Sequence, residues 1–268
     1  MRVDPTPSIL DAIVARTRQR LMESPPDVAA LEARIADMPV RDALGALGAP
    51  GIRIIAEVKR TSPSLGALSP TADAVAVASS YEAAGAAAIS VLTEPERFGG
   101  SFADLAAVSR TVSVPTLCKD FIVDPRQVLI ARAHGASLVL LIVAALSDTE
   151  LVSLRESIEA LGMQALVEVH DREEARRALA SGARIVGVNS RNLHTLAIDL
   201  TVAEDLRSEL PDAVLPIAES GVHGPAEIAR LQRAGYRRFL VGSSLMTASD
   251  PEALLAAMIA VGATGNER

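Results

Sequence analysis

The stretch Ile54-Ile55-Ala56-Glu57-Val58-Lys59-Arg60-Thr61-Ser62-Pro63-Ser64 decides how the chain is read. An apolar run rich in β-branched residues ends abruptly in charge. On a strand, Glu57 and Lys59 point to the same side. A carboxylate and an ammonium at the end of a buried strand cost free energy unless partners or a ligand compensate them. A loop containing Pro63 and Gly66 follows. Much of the remaining chain repeats the theme of an apolar strand with a polar residue at its C-terminal end.

Outward from this stretch a rhythm is set. Strand-like segments fall at 52–59, 88–92, 116–119, 138–143, 164–169, 185–188, 214–218 and 239–241. Helix-like segments fall between them at 72–84, 102–111, 125–134, 148–161, 172–181, 201–209, 225–234 and 251–261. Gly85, Gly135, Gly162, Gly182 and Gly235 mark helix C-termini. Strict alternation with continuous apolar strands predicts a parallel sheet covered by helices. Eight such units over roughly 210 residues match a (β/α)8 TIM barrel, an α/β fold. The rival, a doubly wound open sheet, has fewer units as a rule and a Gly-rich first turn that this chain lacks.

The residues before the first strand read as helical. Ser8 is a candidate N-cap for a helix over 8–22, with Asp11 in its first turn and Ile9, Ile13 and Leu21 near one face. A second helix is expected over 27–38, and a third short piece from Pro39 to near Gly48. The division expected is one domain over 1–262, with a helical extension over 1–50, a barrel over 51–262, and a loose tail over 263–268.

Bulk properties narrow the function classes. The net charge is -7 and no basic run is present, which argues against a nucleic-acid partner. No apolar stretch reaches membrane-spanning length, and the N-terminus is not a signal peptide. The single cysteine, Cys118, permits no intrachain disulfide and suits a reducing cytosol. His134, His170, His194 and His223 are scattered, without zinc spacing. A cytoplasmic protein is expected, monomeric rather than a stable oligomer, with no nucleic-acid or membrane partner.

In a TIM barrel the active site lies at the C-terminal ends of the strands. There the first strand offers Glu57 and Lys59, the third Lys119 and Asp120, and the fifth Glu168 with His170 beyond it. The sixth offers Asn189-Ser190-Arg191-Asn192, the seventh Glu219-Ser220-Gly221 and the eighth Gly242-Ser243-Ser244. Structural ion pairs at the rim are the competing reading, but a stability network need not gather at one end. Carboxylates and lysines in a partly dry mouth suit general acid–base chemistry. The turns at Ser220-Gly221 and Gly242-Ser243 bring backbone N–H groups near a ligand, and 244–246 could form one turn of extra helix. Barrels bind phosphate this way, so a phosphorylated small molecule is the expected ligand, with Lys59 adding charge. Alternatively both glycines serve only tight turns. Phe98, in Phe98-Gly99-Gly100-Ser101, could close over a ligand or pack the rim. His170 reads as a loop histidine, Cys118 as an inert thiol facing the helices, and Asp120 as a partner of Lys119 or a solvated charge.

With these residues in place, the sequence resembles the indole-3-glycerol phosphate synthase family. The resemblance is carried by Glu57-Val58-Lys59-Arg60-Thr61-Ser62-Pro63-Ser64, Cys118-Lys119-Asp120-Phe121, Leu166-Val167-Glu168-Val169-His170, Asn189-Ser190-Arg191-Asn192, Ala218-Glu219-Ser220-Gly221 and Val241-Gly242-Ser243-Ser244. It runs from the N-terminal helix to the last helix. It implies a carboxy-lyase of tryptophan biosynthesis that closes the ring of 1-(2-carboxyphenylamino)-1-deoxyribulose 5-phosphate, with loss of CO₂ and water and without metal or cofactor. By the resemblance Lys119 is the general acid on the C2 carbonyl, and Glu168 is the acid/base group of dehydration. Lys59 holds the substrate carboxylate. Glu57 and Asn189 hold sugar hydroxyls and the lysine side chains. Glu219 and Arg191 complete the polar mouth, while Ser220, Gly221, Gly242 and Ser243 take the phosphate. Ser62 and Phe98 line the anthranilate side, and the loop from Thr61 to Gly66 is a candidate lid. The acid is expected to have its pKa lowered toward neutrality by the neighbouring lysine. A fusion with phosphoribosylanthranilate isomerase is not expected. That isomerase relies on a Cys/Asp pair that Glu57 and Lys59 do not match. A silent, phosphate-binding barrel would not need Lys119, Glu168, Glu57 and Asn189.

Overall fold

The computed structural model describes residues 8–62, 66–193 and 195–262. The Ser62 side chain, Pro63, Ser64, His194 and the 263–268 tail lie outside the described residues, and with them most of the proposed lid. Eight parallel strands close into a barrel: β1 (Arg53–Val58), β2 (Ala88–Leu92), β3 (Thr116–Lys119), β4 (Leu138–Ile142), β5 (Gln164–Val169), β6 (Ile185–Asn189), β7 (Leu215–Glu219) and β8 (Arg238–Val241). β8 returns to β1 with Arg53 beside Arg238 and Ala56 beside Val241. The helices are α1 (Ile9–Glu23), α2 (Val28–Ile35), α3 (Ala43–Gly48), α4 (Ala74–Ala83), α5 (Pro95–Phe98), α6 (Phe102–Thr111) and α7 (Pro125–Ala133). They continue with α8 (Asp148–Ala160), α9 (Arg172–Ala180), α10 (Thr201–Leu206), α11 (Pro225–Arg233), α12 (Ser243–Thr247) and α13 (Pro251–Ala260). Every strand expected from the sequence is found within two residues of its expected ends.

Alternation along the strands builds two cores. Val58, Cys118, Val139, Leu141, Val167, Val186 and Ala218 face outward and pack with Ala78, Leu105, Leu151 and Ile228 of the helices. Ile55, Leu117, Leu138, Leu140, Leu166, Ile185, Ile217 and Leu240 form a separate inner cluster. The small aromatic content is no handicap, because branched aliphatics suit a barrel interior. The five C-terminal glycines adopt positive φ, from 81° at Gly162 to 103° at Gly235, as helix stops in the left-handed region require.

The helical leader departs from expectation in detail. Ser8 does cap α1, forming a reciprocal capping box with Asp11. The buried face is Leu10, Ile13, Thr17 and Leu21, whereas Ile9 is partly exposed. No helix begins at Pro39. The chain there is held extended because the Arg41 N–H donates to Ser137 Oγ (3.0 Å) and its guanidinium to the Ser109 carbonyl (2.8 Å). Helix α3 starts only at Ala43, where Asp42 Oδ1 accepts from the Gly45 N–H.

Helix α3 closes the N-terminal end of the barrel. Ala43 and Leu47 join the inner cluster. Arg53 and Arg238, the first residues of β1 and β8, donate to the Ala46 and Leu47 carbonyls at 3.0 and 2.8 Å. These bonds satisfy acceptors that a helix C-terminus leaves open. Leu47→Ala should leave a void at the base of the barrel and cost about 2–5 kcal/mol. A thermal midpoint within a degree of the parent's would contradict this role for α3.

Candidate active site

The inward parity of the inner core carries to the top of each strand. Two residues beyond Ile55, Leu117, Leu166, Ile217 and Leu240 stand Glu57, Lys119, Glu168, Glu219 and Gly242. Two residues beyond Ile185 and Gly187 respectively stand Gly187 and Asn189. Apart from Gly187, these positions open on a cavity of about 330 Å³. Glu57, Lys59, Phe98, Lys119, Glu168, Asn189, Arg191, Glu219, Ser220, Gly221, Gly242 and Ser243 all line it. Thus every candidate from the sequence reaches one chamber, apart from Ser62, whose side chain is outside the described residues.

Lys119 is the hub. Its Nζ lies 3.3 Å from Glu168 Oε2 and 3.8 Å from Glu219 Oε2. Lys59 pairs instead with Glu57, Nζ to Oε1 at 2.7 Å. Glu57 therefore binds one lysine directly and acts on the other only through its field. Asn189 Oδ1 accepts the Arg191 N–H (3.0 Å), fixing the turn after β6, and Arg191 Nη1 donates to the Leu196 carbonyl.

The electrostatics correct one expectation. Burial alone would lower Lys119, but Glu168, Glu219 and Glu57 outweigh it and raise its pKa above the ordinary lysine range. The neighbouring lysine does not make it acidic. The carboxylates also sort themselves. Burial alone would raise Glu168, but Lys119 and His170 hold it below the usual carboxylate range. Burial, and then the charge on Glu168, push Glu219 well above that range. Two acids sharing one site ionise in sequence, and here Glu168 is the one favoured in its charged form. Burial would raise Glu57 too, but Lys59 and Lys119 lower it.

Two glycines make room for these carboxylates. A Cβ on Gly242 would sit 2.5 Å from Glu57 Oε1, and one on Gly187 would sit 2.0 Å from Glu219 Oε1. Gly242 therefore does more than turn the chain. Gly187 was not a candidate from the sequence, although a glycine inside a strand signals close approach. At the top of β7, Ser220 (φ 63°) and Gly221 (φ 80°) are both left-handed. Such a backbone is costly for serine and marks a constrained turn. The extra helical turn after Gly242 is present as α12.

Phe98 ends α5, a turn the sequence reading did not contain. Glu94 caps α5 by accepting from the Glu96, Arg97 and Phe98 N–H groups, and Arg20 of α1 meets Glu94 at 3.4 Å. The Phe98 ring lies 6.1 Å from Phe121, centroid to centroid. Leu10 and Ile13 of α1 add to this apolar wall. Asp120 is neither a partner of Lys119 nor solvated; it is buried and accepts from Thr93 Oγ1 (2.6 Å) and the Phe121 N–H (2.8 Å). Cys118 is fully buried, and burial pushes its thiol up. His170 lies past the end of β5, yet its ring is largely covered and sits 3.4 Å from Glu168 and 3.0 Å from Glu174.

Fold and site together define a TIM barrel with a lysine–carboxylate cluster at its C-terminal mouth. Comparison with known proteins gives the family. The sequence model of the family described as indole-3-glycerol phosphate synthase matches residues 10–258, and the chain belongs to that family. A protein of that name from Parafrankia sp. (strain EAN1pec) is 52% identical over 255 residues, covering 95% of this chain and 94% of that protein. One from Rhodococcus opacus (strain B4) is 51% identical over 257 residues, covering 96% and 95%. Among solved structures, 3-hexulose-6-phosphate synthase from Salmonella typhimurium superposes with a TM-score of 0.66 at 15% identity, covering 80% of this chain and 99% of its own. That likeness concerns the barrel alone.

Two outcomes test the geometry. Gly187→Ala should displace the Glu219 carboxylate and cost about 1–3 kcal/mol by overpacking, read from the thermal midpoint. The second concerns pH. Burial alone would lower His170, but Glu168 and Glu174 push it up to about 10 from 6.5. The folded chain thus keeps a proton that the unfolded chain releases near 6.5. This contribution is complete below pH 6.5 and is lost as pH rises through about 10. His170→Gln should flatten the fall in stability across that window; an unchanged slope would contradict the assignment.

Proposed function

We propose that the protein is an indole-3-glycerol phosphate synthase, converting 1-(2-carboxyphenylamino)-1-deoxyribulose 5-phosphate to indole-3-glycerol phosphate, CO₂ and water in tryptophan biosynthesis. The observation that carries this reading is the Lys119 ammonium set between Glu168 and Glu219, beside two glycine-containing turns, in a member of this family. The site residues take the following roles. Backbone N–H groups and hydroxyls at Ser220, Gly221, Gly242 and Ser243 bind the phosphate. Lys59 takes the substrate carboxylate, and Glu57 keeps Lys59 charged and oriented. Phe98, with Phe121, packs the anthranilate ring. Ser62 is assigned to the same side on the resemblance alone. Arg191 and Asn189 meet the sugar hydroxyls.

The aromatic carbon bearing the carboxylate attacks C2 of the ribulose, while Lys119 gives a proton to the carbonyl oxygen. Lys119 is a weak acid toward water, but the ammonium is present at neutral pH. Its proton moves as negative charge builds on the oxygen inside a partly dry chamber. Loss of CO₂ returns the ring to aromaticity. Dehydration then requires one proton delivered to the leaving hydroxyl and one removed from the adjacent carbon. Ionised Glu168 suits removal, and protonated Glu219 suits delivery. No step in this scheme calls for a metal or cofactor. The enzyme is read as a cytoplasmic monomer without nucleic-acid or membrane partners. No described helix is long and apolar enough to cross a membrane.

Incubation with the substrate should generate indole absorbance and fluorescence without added metal. No product, with inorganic phosphate still bound, would instead favour a barrel that only binds phosphorylated metabolites. Lys119→Ala should lower kcat by at least about 10²–10⁴-fold with little change in phosphate affinity. Near-parental kcat in that variant would remove Lys119 as the acid.

A further inference from the structure

One largely buried titratable group stands outside this scheme. His170 and Glu174 are not among the residues lining the cavity. Glu174, in the first turn of α9, grips His170 twice: Oε2 accepts from the His170 backbone N–H at 2.8 Å and lies 3.0 Å from ring Nδ1. Asp171, the N-cap of α9, accepts from the Glu174 N–H at 2.9 Å and fixes that turn. With Nδ1 committed to Glu174, Nε2 lies 3.4 Å from Glu168 Oε1. This Nε2 is buried and has no directed hydrogen bond of its own. The other oxygen of Glu168, Oε2, is the one that meets Lys119. Glu168 is thus held between two cations, one inside the chamber and one behind it.

We propose that His170, gripped by Glu174, is a positioning residue for Glu168. It anchors Oε1 from outside the chamber, so that the carboxylate stays ionised with Oε2 turned to Lys119. The need for such an anchor follows from the crowding of acids. Burial disfavours the charge on Glu168 and so does Glu57 from β1, while a hydrogen bond from Glu219 of β7 favours it. Lys119 from β3 favours it, but in the proposed scheme Lys119 gives up its proton during the reaction. Without a second cation, Glu168 would take that proton and cease to be a base. The groups facing His170 itself are Glu168 from β5 and Glu174 from α9. Both oppose loss of its proton, so the second cation persists through neutral pH. An ordinary structural pair between β5 and α9 would hold the loop without affecting the charge on Glu168.

The inference rests on the reading of this mouth as the synthase centre, and its test separates the two. In His170→Gln the acid limb of the kcat–pH profile should move up by about one pH unit. On that limb kcat should fall about tenfold with KM within about twofold. Glu174→Gln, which leaves the ring in place but loosens it, should shift the profile the same way by less, and it serves if His170→Gln does not fold. A profile superimposable on the parent's, or a raised KM with unchanged kcat, would overturn the proposal. Independently of turnover, side-chain ¹⁵N NMR of the parent should show His170 as imidazolium at pH 8. A neutral ring at that pH overturns the proposal even if the parent is active. A parent that makes no indole product sinks the synthase reading, while the ring's charge state still decides the role of His170.

Discussion

The two-residue period of a β-strand, locked into a closed ring, is the constraint on which this molecule depends. Each strand sends alternate side chains to the interior, and closure removes any freedom to slip. The inner aliphatic cluster fixes which parity faces in. Once that parity is fixed, the side chains two residues further on must enter the chamber whether polar or not. Glu57, Lys119, Glu168 and Glu219 are placed by the residues beneath them. The hydrophobic effect thus does the aiming, and the site inherits its precision from the core.

That aiming gathers three carboxylates near one ammonium, where burial opposes the charge on each of them. The arrangement is tolerable because the residues differ in their second neighbours. Glu57 has Lys59, Glu168 has Lys119 and His170, and Glu219 has only a share of Lys119. Glu219 is therefore the acid pushed above the usual carboxylate range. The same crowding explains why the neighbouring strand positions are glycines, since Gly187 and Gly242 have no Cβ to meet the carboxylates. A buried polar cluster of this kind is costly to assemble and is expected where function demands it.

The barrel was legible because its evidence is repeated. Eight apolar runs, eight helices and five stopping glycines say the same thing, and errors at single ends do not matter. The strand-top residues were legible for the same reason, since position along a strand translates into position in the barrel. The residues that escaped belong to contacts between elements far apart in sequence. Glu174 has no feature marking it until it is found on His170, and Arg20 none until it is found on Glu94. Protonation was the hardest to read. Lys119 beside another lysine suggested acidity, but the sign is set by three acids from three other strands, and their distances are not written in any one segment. Pro39 misled locally, because Arg41 binds carbonyls more than sixty residues away and keeps that stretch extended.

The first helix carries a consequence for how the chain should be divided. Its buried stripe supplies Leu10 and Ile13 to the chamber wall, and its Arg20 reaches the acid that caps the turn bearing Phe98. The eightfold repeat is therefore a complete architecture but an incomplete vessel. Cut at residue 51, it would keep every charged group that lines the chamber and lose one side of the space that encloses them. The unit of heredity for this site is the leader and the barrel together, although the fold recognises only the second.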